Sequence, residues 1–335
     1  ALCLPREEFD EKRVADSIKE LQREFSGNSF HLHTYMGVYE IRDRDEAVSI
    51  MVDKANIAAD TIKNNYDCCV AYYDEHLLEI SIEQRRLLGE FEPALQKDEF
   101  VMYLQPQVNR DGVAKGAEAL VRWAHPSRGI LTPYAFIDIL ENAGLIYKLD
   151  LYIWEKAAQK LAEWKEKGYG SYHISVNIST KDFYIIDIYE TFTGLINKYG
   201  IAASDLHLEI TEKTLMTDFE KNMNIIHKLQ DVGFRMEIDD FGSGYSSLNM
   251  LKDISADVLK IDMGFLRKSE NEVKGQDILE SIITLAGKIG MDVITEGVET
   301  KKQLDMLTMM GCHEFQGYYF SKPVPVSEFE EKYLV

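Results

Sequence analysis

Eight short apolar segments in the last two-thirds of this 335-residue chain alternate with segments of helical periodicity. The predicted strands are Val101–Gln105, Gly116–Val121, His173–Ile178, Leu206–Ile210, Arg235–Ile238, Val258–Ile261, Val293–Thr295 and Glu314–Gln316. The clearest predicted helices are Leu151–Lys167, Ile186–Lys198, Glu220–Val232, Gln276–Ile289 and Lys301–Met309. Strands that alternate with crossover helices in this way are typical of an α/β fold with a TIM-like (βα)8 barrel.

A polar side chain stands at or just past the end of each predicted strand. These side chains are Gln105, Glu118, Asn177, Glu209, Asp239, Lys260, Glu296 and Gln316. In a barrel of this kind the active site lies at the C-terminal ends of the strands. Carboxylates in a dry site must be paired or bind a metal. The many converging acids therefore predict divalent cations and chemistry on an anion such as a phosphate ester.

Asp239 and Asp240 are the strongest candidates for metal ligands. Adjacent carboxylates allow one side chain to bridge two ions while the other completes the second site, an arrangement that supports in-line attack on a phosphoester. The alternative is a strand that ends in an Asp-capped turn before glycine. The other strand-end acids favour metal binding, and Gly242-Ser243-Gly244 then forms a flexible loop over the site.

Glu118 and Arg122 are four residues apart, so they share one face of a continuous strand. An inward metal ligand fits Glu118 better than a residue at a surface edge. The guanidinium fork of Arg122 can grip a phosphate, and a salt bridge on the barrel rim is the equal alternative.

Two interpretations are also open for Asn177 and for Lys260. The amide oxygen of Asn177 is a suitable ligand for a hard cation, or the side chain begins an Asx turn before the next helix. Lys260 can orient or deprotonate an attacking water, or form a structural ion pair with Asp262. The eight histidines show no ligand spacing, and we expect His31, His33, His125 and His313 at the surface or in packing contacts.

The composition is that of a soluble globular protein, with 45% hydrophobic and 28% charged residues. A net charge of −20 argues against non-specific binding to DNA, RNA or an anionic membrane. No run is long enough to span a membrane, and the four cysteines lack zinc-like spacing, so we expect reduced thiols in the cytoplasm. Because the chain begins at Ala1 without methionine, we expect a fragment whose upstream part could carry a sensor or membrane anchor.

Short motifs follow one another in order through the barrel region. They are Glu118-Ala119-Leu120, Val176–Ser179, Glu209–Glu212, Asp239–Leu248, Leu259–Asp262, Glu296–Thr300 and Gln316–Pro323. From about Phe100 to its end the chain thus resembles the EAL domain family of cyclic di-GMP phosphodiesterases. Ser243 stands where the family usually has threonine, and every expected metal ligand is present.

The resemblance implies hydrolysis of cyclic di-GMP to linear pGpG with two Mg²⁺ or Mn²⁺ ions. It implies one ion held by Glu118, Asn177, Glu209 and Asp239, and a second held by Asp239, Asp240 and Glu296. Lys260, Glu118 and Glu296 would be the catalytic residues, with Lys260 holding the attacking water. Residues implied to contact the substrate or line the site are Gln105, Arg122, Asp262, Glu299 and Gln316, and Glu212 would anchor the loop after Asp240.

The family also implies a modified barrel whose first strand is antiparallel, and a homodimer formed through the EAL domain. Two alternative functions are a binding module and an enzyme of a different class. One is a sensor module that binds cyclic di-GMP without cleaving it, which the loss of a metal ligand would favour. The other is an unrelated barrel enzyme that stabilises an enolate with a single ion, which leaves the ordered motifs unexplained.

Residues 1–83 follow a separate pattern, with predicted helices Glu7–Phe25 and Asp45–Asn64 and strands at 1–5, Phe30–Ile41 and Cys69–Tyr73. The segments Ala1–Pro5, Met36–Val38 and Lys54–Lys63 resemble the C-terminal part of a GGDEF (diguanylate cyclase) domain. The family signature is absent, and Tyr35-Met36-Gly37 replaces the usual Ser-x-Gly. We therefore expect a non-catalytic GGDEF-like part at 1–83, a connector at 84–98 within a helix Ile80–Gln96, and the EAL domain at 99–335.

Overall fold

The structure, a computed structural model, describes residues 1–25, 34–63, 68–242, 254–262, 264 and 272–334. The chain divides into two compact units, an N-terminal unit Ala1–Phe91 and a barrel unit Glu92–Val335. Within the described ranges, no helix combines the length and apolar character needed to cross a membrane.

The N-terminal unit is built around one short parallel strand pair. Its elements are α1 (Glu11–Phe25), β1 (Met36–Val38), α2 (Val48–Asp60), β2 (Val70–Tyr72) and the first part of α3 (Glu75–Gln96), which continues past Phe91 into the barrel unit. Strand β1 pairs in parallel with β2, with Met36 opposite Val70. Ile18 of α1 packs against Cys69 and Val70, which makes a small apolar core.

The strand predicted at residues 1–5 is wrong, because these residues form no strand and Leu2 is 79% exposed. A strand needs a neighbour to satisfy its backbone N–H and C=O groups. Within the described part of the N-terminal unit, β1 and β2 pair only with each other. The strand predicted from Phe30 is observed only at Met36–Val38, and residues 30–33 lie outside the described ranges.

The barrel strands predicted from the sequence are all confirmed. They are β3 (Phe100–Asn109), β4 (Ala114–His125), β6 (His173–Ile178), β7 (Leu206–Thr211), β8 (Met236–Phe241), β9 (Val258–Asp262), β10 (Asp292–Glu296) and β11 (Glu314–Phe315). Two short strands, β5 (Gly129–Leu131) and β12 (Val324–Pro325), add to β4 and β3.

The sheet closes because β3 pairs with both β4 and β11. Both of these pairings are antiparallel, whereas the ladder from β4 through β6, β7, β8, β9 and β10 to β11 is parallel. The barrel is therefore modified at its first strand, as the resemblance implies. All the parallel strands end at the same rim, which brings their C-terminal polar residues together.

Helices cover the outside of the barrel. They are α4 (Ile137–Ala143), α5 (Ile146–Glu166), α6 (Asp182–Ile185), α7 (Ile188–Tyr199), α8 (Glu212–Thr217), α9 (Phe219–Val232), α10 (Glu272–Lys288), α11 (Lys301–Met309) and α12 (Val326–Tyr333). Along β6, Ile174, Val176 and Ile178 are buried, while the alternate residues His173, Ser175 and Asn177 occupy the opposite face. Trp154 of α5 is fully buried and donates from Nε1 to the Asn177 carbonyl oxygen at 2.9 Å, which fixes α5 against β6.

Gly37 generates a prediction for the N-terminal unit. A Cβ at Gly37 would lie 1.8 Å from the Ala55 carbonyl oxygen, so only glycine allows α2 to pack this closely on β1. We expect Gly37→Ala to destabilise this unit by about 1–3 kcal/mol, the usual cost of overpacking. Hydrogen exchange of the β1 and β2 amides measures the effect.

Gly89→Ala in α3 is the matched control, because a Cβ there meets no atom within 4 Å. We expect that variant to gain about 0.5–1 kcal/mol, since alanine favours a helix more than glycine does. Unchanged exchange in Gly37→Ala would show that α2 can shift away from β1 without cost.

Candidate active site

Lys260 of β9 is fully buried among the carboxylates at the C-terminal end of the barrel. Its Nζ lies 2.8 Å from Glu296 Oε1 and 2.9 Å from Glu209 Oε1. Glu118 Oε2 follows at 3.4 Å and Asp239 Oδ1 at 3.5 Å. The ion pair considered between Lys260 and Asp262 is not found among the described residues, and Asp262 instead accepts a hydrogen bond from the Gly264 N–H.

These contacts are ion pairs by distance, and one ammonium group serves all four carboxylates. Among the described residues, no hydrogen-bond partner is found for either carboxylate oxygen of Glu209, for Asp239 Oδ1, for Glu296 Oε1 or for Lys260 Nζ. Buried polar atoms without partners cost free energy. Oxygen ligands of this type suit hard divalent cations, so the donor set fits Mg²⁺ or Mn²⁺.

The electrostatics follow from burial and from the excess of negative charge. Burial, together with the negative charges of Asp239 and Glu118, raises the pKa of Glu296 to about 8, although the charge of Lys260 acts in the opposite direction. Burial and the charge of Glu118 likewise raise the pKa of Glu209 well above its usual range. Burial alone would lower the pKa of Lys260, but the surrounding carboxylates outweigh burial and raise it well above the usual lysine value. Lys260 is therefore an ammonium ion at neutral pH.

Glu118 is buried and held by two side-chain amides. Asn177 Nδ2 donates to Glu118 Oε1 at 3.1 Å, and Gln316 Nε2 donates to Glu118 Oε2 at 2.5 Å. Gln105 lies opposite Glu118 in the antiparallel register, with its Oε1 3.4 Å from Gln316 Nε2. The structure thus brings together four residues that the sequence placed at separate strand ends.

The structure contradicts two alternative interpretations, Glu118 as a surface-edge residue and Asn177 as the start of an Asx turn. Glu118 is only 7% exposed, so it is not a surface-edge residue. Asn177 is exposed at the mouth of the barrel, but its amide contacts Glu118 and does not begin a turn. The following helix begins at Asp182, whose carboxylate accepts from the Ser179 N–H at 2.7 Å.

A β-bulge positions Asp239 and Asp240. Ile238 pairs with Leu259 and Phe241 pairs with Ile261, so β8 uses one residue more than β9. Asp240 adopts the left-handed conformation, with φ of 56°. Adjacent side chains of a regular strand point to opposite faces, and a bulge changes that direction. Burial raises the pKa of Asp240, and the negative charges of Asp239 and Asp262 add to the increase.

Arg122 and Glu299 lie around this cluster. The Arg122 guanidinium is half-buried, lies 5.5 Å from the centre of the Tyr103 ring and donates to the Val121 carbonyl oxygen at 2.8 Å. The rim salt bridge considered for Arg122 is not found among the described residues. Glu299 is exposed between β10 and α11, where its backbone N–H donates to Gln303 Oε1 at 2.9 Å.

Glu212 is the first residue of α8, and Thr211 rather than Glu212 caps that helix. The Thr211 hydroxyl accepts from the Thr214 N–H at 3.3 Å, so the alternative of Glu212 as the cap is wrong. The loop that Glu212 was predicted to anchor includes Ser243, which lies outside the described residues. The anchoring role of Glu212 stays a prediction.

A second polar group lies one layer below the carboxylates, and the sequence analysis missed it. One ligand atom each from His173, His207 and Glu237 lies within 4.8 Å of the other two, and no other trio of His, Cys, Asp or Glu in the described ranges meets this distance. Burial lowers the pKa of His173 to about 3, so its ring is neutral. His207 precedes Glu209 by two positions, and Glu237 precedes Asp239 by two positions. Because alternate residues of a strand face the same side, this spacing could have identified both residues from the sequence.

Comparisons with known proteins identify relatives of the chain. The EAL domain family matches residues 89–323. The bifunctional diguanylate cyclase/cyclic di-GMP phosphodiesterase MucR of Pseudomonas aeruginosa is 32% identical over 272 residues, which are 81% of this chain and 39% of MucR. The cyclic di-GMP phosphodiesterase PdeR of Escherichia coli is 32% identical over 240 residues, which are 72% of this chain and 36% of PdeR.

A solved structure shows the same architecture. The phosphodiesterase part of MucR, in complex with c-di-GMP, superposes with a TM-score of 0.69 at 33% identity, covering 73% of this chain and 99% of that chain. The chain spans less than half the length of the full curated relatives MucR and PdeR.

The buried charge of Lys260 generates a prediction for stability. Removing one partner from a buried ion cluster leaves uncompensated charge and costs about 3–5 kcal/mol. We expect Lys260→Met to lower the free energy of unfolding of the barrel unit by that amount in chelator, measured by urea unfolding. Mg²⁺ should reduce the loss. Lys302→Met, at an exposed position of α11, is the matched control, and equal loss in both variants would contradict the prediction.

The raised pKa of Glu296 generates a prediction for pH dependence. Between about pH 4.5 and its folded-state pKa of about 8, the folded chain binds more protons at this residue than the unfolded chain does, so the contribution to stability decreases as pH rises. The Glu296 side chain is 17% exposed, so we expect a change on the order of a few kcal/mol or less. Glu296→Gln should flatten the dependence of unfolding free energy on pH in chelator. The same pH dependence of the unfolding free energy in Glu296→Gln and in the wild type would show that other groups cause it.

Proposed function

Because the chain belongs to the EAL domain family, we propose that its barrel hydrolyses one phosphodiester bond of cyclic di-GMP to give linear pGpG. The observation that carries the proposal is the buried ring of carboxylates from four strands around one ammonium group, Lys260, at the C-terminal rim. The relatives MucR and PdeR, which are named as cyclic di-GMP phosphodiesterases, support the choice of substrate.

We infer that the site takes two divalent cations. Glu118, Asn177, Glu209 and Asp239 would hold one Mg²⁺ or Mn²⁺, and Asp239, Asp240 and Glu296 would hold the second. When bound, such ions activate water and offset the negative charge that develops on a reacting phosphate. Four carboxylates surround a single ammonium group here and Asp240 adds a fifth negative charge nearby, so the cluster has an excess of negative charge that two dications would offset.

Lys260 acts on the attacking water as a hydrogen-bond donor. Its raised pKa keeps the ammonium protonated, so Lys260 orients the water oxygen rather than removing a proton from it. The water oxygen attacks phosphorus, the opposite P–O bond to the ribose 3′ oxygen breaks, and that oxygen takes up a proton. Carboxylates of the cluster, Glu296 and Glu118 among them, would accept the proton that the water loses.

Substrate phosphates and guanine bases would lie at the rim. The Arg122 guanidinium has no carboxylate within ion-pair distance among the described residues, which suits it to bind a phosphate oxygen. Gln105, Gln316, Asp262 and Glu299 would line the site around the reacting phosphate. Glu212 would hold the loop that follows Asp240 and so keep Asp239 and Asp240 in ligand geometry.

For the N-terminal unit, we propose a GGDEF-like part at 1–83 without cyclase activity, followed by a connector at 84–98. The parallel pair β1–β2 joined through α2 supports an α+β fold of this kind. We also propose that the barrel unit forms a homodimer, which the molar mass in solution tests.

The central experiment incubates metal-stripped protein with cyclic di-GMP and separates the products by chromatography. With Mg²⁺ or Mn²⁺ we expect pGpG, and with Ca²⁺ we expect binding without turnover, because its longer and irregular coordination misplaces the water. Tight binding of cyclic di-GMP without product under all metal conditions would favour the sensor module instead.

Glu118 generates a prediction for activity. Glu118→Gln removes one carboxylate charge while keeping the side-chain shape, so we expect kcat to fall by at least about 100-fold through loss of charge stabilisation worth several kcal/mol. The fold should persist, because repulsion among the carboxylates decreases. Glu220→Gln, exposed on α9, is the matched control and should keep full activity. Equal kcat in the two variants would exclude Glu118 from the site.

A further inference from the structure

The lower layer of the barrel interior is polar at β6, β7 and β8, where apolar side chains are expected. His173 begins β6, and His207 and Glu237 are the second residues of β7 and β8. Because side chains alternate along a strand, His207 lies on the same face as Glu209, and Glu237 on the same face as Asp239, about 7 Å toward the N-terminal end. Barrel interiors of this type are usually filled by Val, Ile and Leu, so these residues need an explanation.

The three side chains form a compact group. His207 Nδ1–H donates to Glu237 Oε1 at 2.6 Å, and the rings of His173 and His207 stack with centroids 3.8 Å apart and an interplanar angle of 6°. His173 Nε2–H donates to Gln107 Oε1 at 2.8 Å, which leaves the Nδ1 lone pair of that ring available. Metal-binding histidines usually donate their second N–H to a carbonyl or carboxylate in this way.

Glu237 supplies a separate indication of a missing ligand. Its side chain is fully buried, and Oε2 has no hydrogen-bond partner among the described residues. Oε1, by contrast, accepts hydrogen bonds from both His207 and Ser175 Oγ, the latter at 3.2 Å. A buried carboxylate oxygen without a partner is costly unless a cation or proton meets it.

The surroundings make room for the histidine rings and connect them to solvent. A Cβ at Gly116 would lie 2.3 Å from His173 Nε2, so glycine at this position allows the ring to enter the barrel. A cavity of about 670 Å³ opens at this N-terminal end, and His173, His207 and Glu237 line it together with Arg235. An ion can therefore reach the group from the end opposite the carboxylate cluster.

We propose that His173, His207 and Glu237 form a binding site for a transition-metal dication of the Zn²⁺ class at the N-terminal end of the barrel. Two imidazoles and one carboxylate suit Zn²⁺ and similar ions, whereas Mg²⁺ prefers oxygen ligands only. Coordination through His207 Nδ1 moves the proton of that ring to Nε2. One of the two stacked rings turns so that both imidazole nitrogens point at the ion, and water completes the coordination. The site links β6, β7 and β8, whose C-terminal ends carry Asn177, Glu209 and Asp239, and its existence does not depend on the proposed hydrolysis.

The experiment measures Zn²⁺ binding by the full chain in millimolar Mg²⁺, which occupies oxygen-only sites. Metal analysis after equilibrium dialysis gives the stoichiometry, and competition with a chromophoric chelator gives the affinity. We expect about one Zn²⁺ per chain. His207→Gln and Glu237→Gln should each weaken Zn²⁺ binding by at least about 10–100-fold, the range seen even for outer-shell losses.

Two controls separate this site from the rest of the molecule. His227→Gln, at an exposed position of α9, and Glu118→Gln, in the carboxylate cluster, should both keep the wild-type Zn²⁺ affinity. Loss of Zn²⁺ binding in Glu118→Gln with retention in His207→Gln would overturn the proposal, since Zn²⁺ would then occupy the upper cluster. The absence of any Zn²⁺ retained by the wild-type chain would also overturn it.

A measurement on the wild-type chain guards against variants that fail to fold. Crystals soaked in Zn²⁺ and Mg²⁺ should show an anomalous peak at the zinc edge between His173, His207 and Glu237. An anomalous peak confined to the carboxylate cluster would refute the proposal. Binding detected by dialysis and an anomalous peak at the three side chains would together establish the site.

Discussion

A single buried ammonium group holds the acidic end of this barrel together. Lys260 Nζ lies within 3.5 Å of carboxylates from four strands, β4, β7, β8 and β10. Like charges at such separations repel strongly in a low dielectric, and an isolated buried ammonium is itself costly. The ammonium group and the carboxylates therefore each lower the free-energy cost of burying the other. One positive charge does not neutralise four carboxylates. The excess negative charge suits the site to bind cations.

The strand topology decides which side chains can meet. The antiparallel β3 closes the barrel and sets Gln105 opposite Glu118, while β11 brings Gln316 to the same carboxylate. On the other side, the bulge in β8 brings Asp239 and Asp240 into one region, at the cost of a left-handed backbone at Asp240. Strain of this kind persists only where the surrounding structure enforces it, and it concentrates at functional sites.

The interior of the barrel is polar at its C-terminal end and in part of the layer below, so much of its stability comes from the outer faces of the strands. Ile174, Val176 and Ile178 of β6 are buried on that side, where Trp154 of α5 packs against Phe192 with ring centroids 4.5 Å apart. Apolar burial between the sheet and the helices contributes roughly 25 cal/mol per Å², enough to offset interior polar groups that packing alone would not favour. Because the apolar contacts lie on the outer faces of the strands, the inward faces can hold charged side chains.

The sequence by itself determined the barrel and the strand-end candidates, because strand alternation, helical periodicity and acids at strand ends are local patterns. It could not exclude a strand at residues 1–5, since pairing depends on a neighbour that a local pattern does not reveal. Only the tertiary structure decided that Lys260 faces four carboxylates rather than Asp262, and that a bulge lies at Asp239 and Asp240. It likewise decided that His173, His207 and Glu237 meet, because residues more than 25 positions apart become neighbours only when parallel strands align in register.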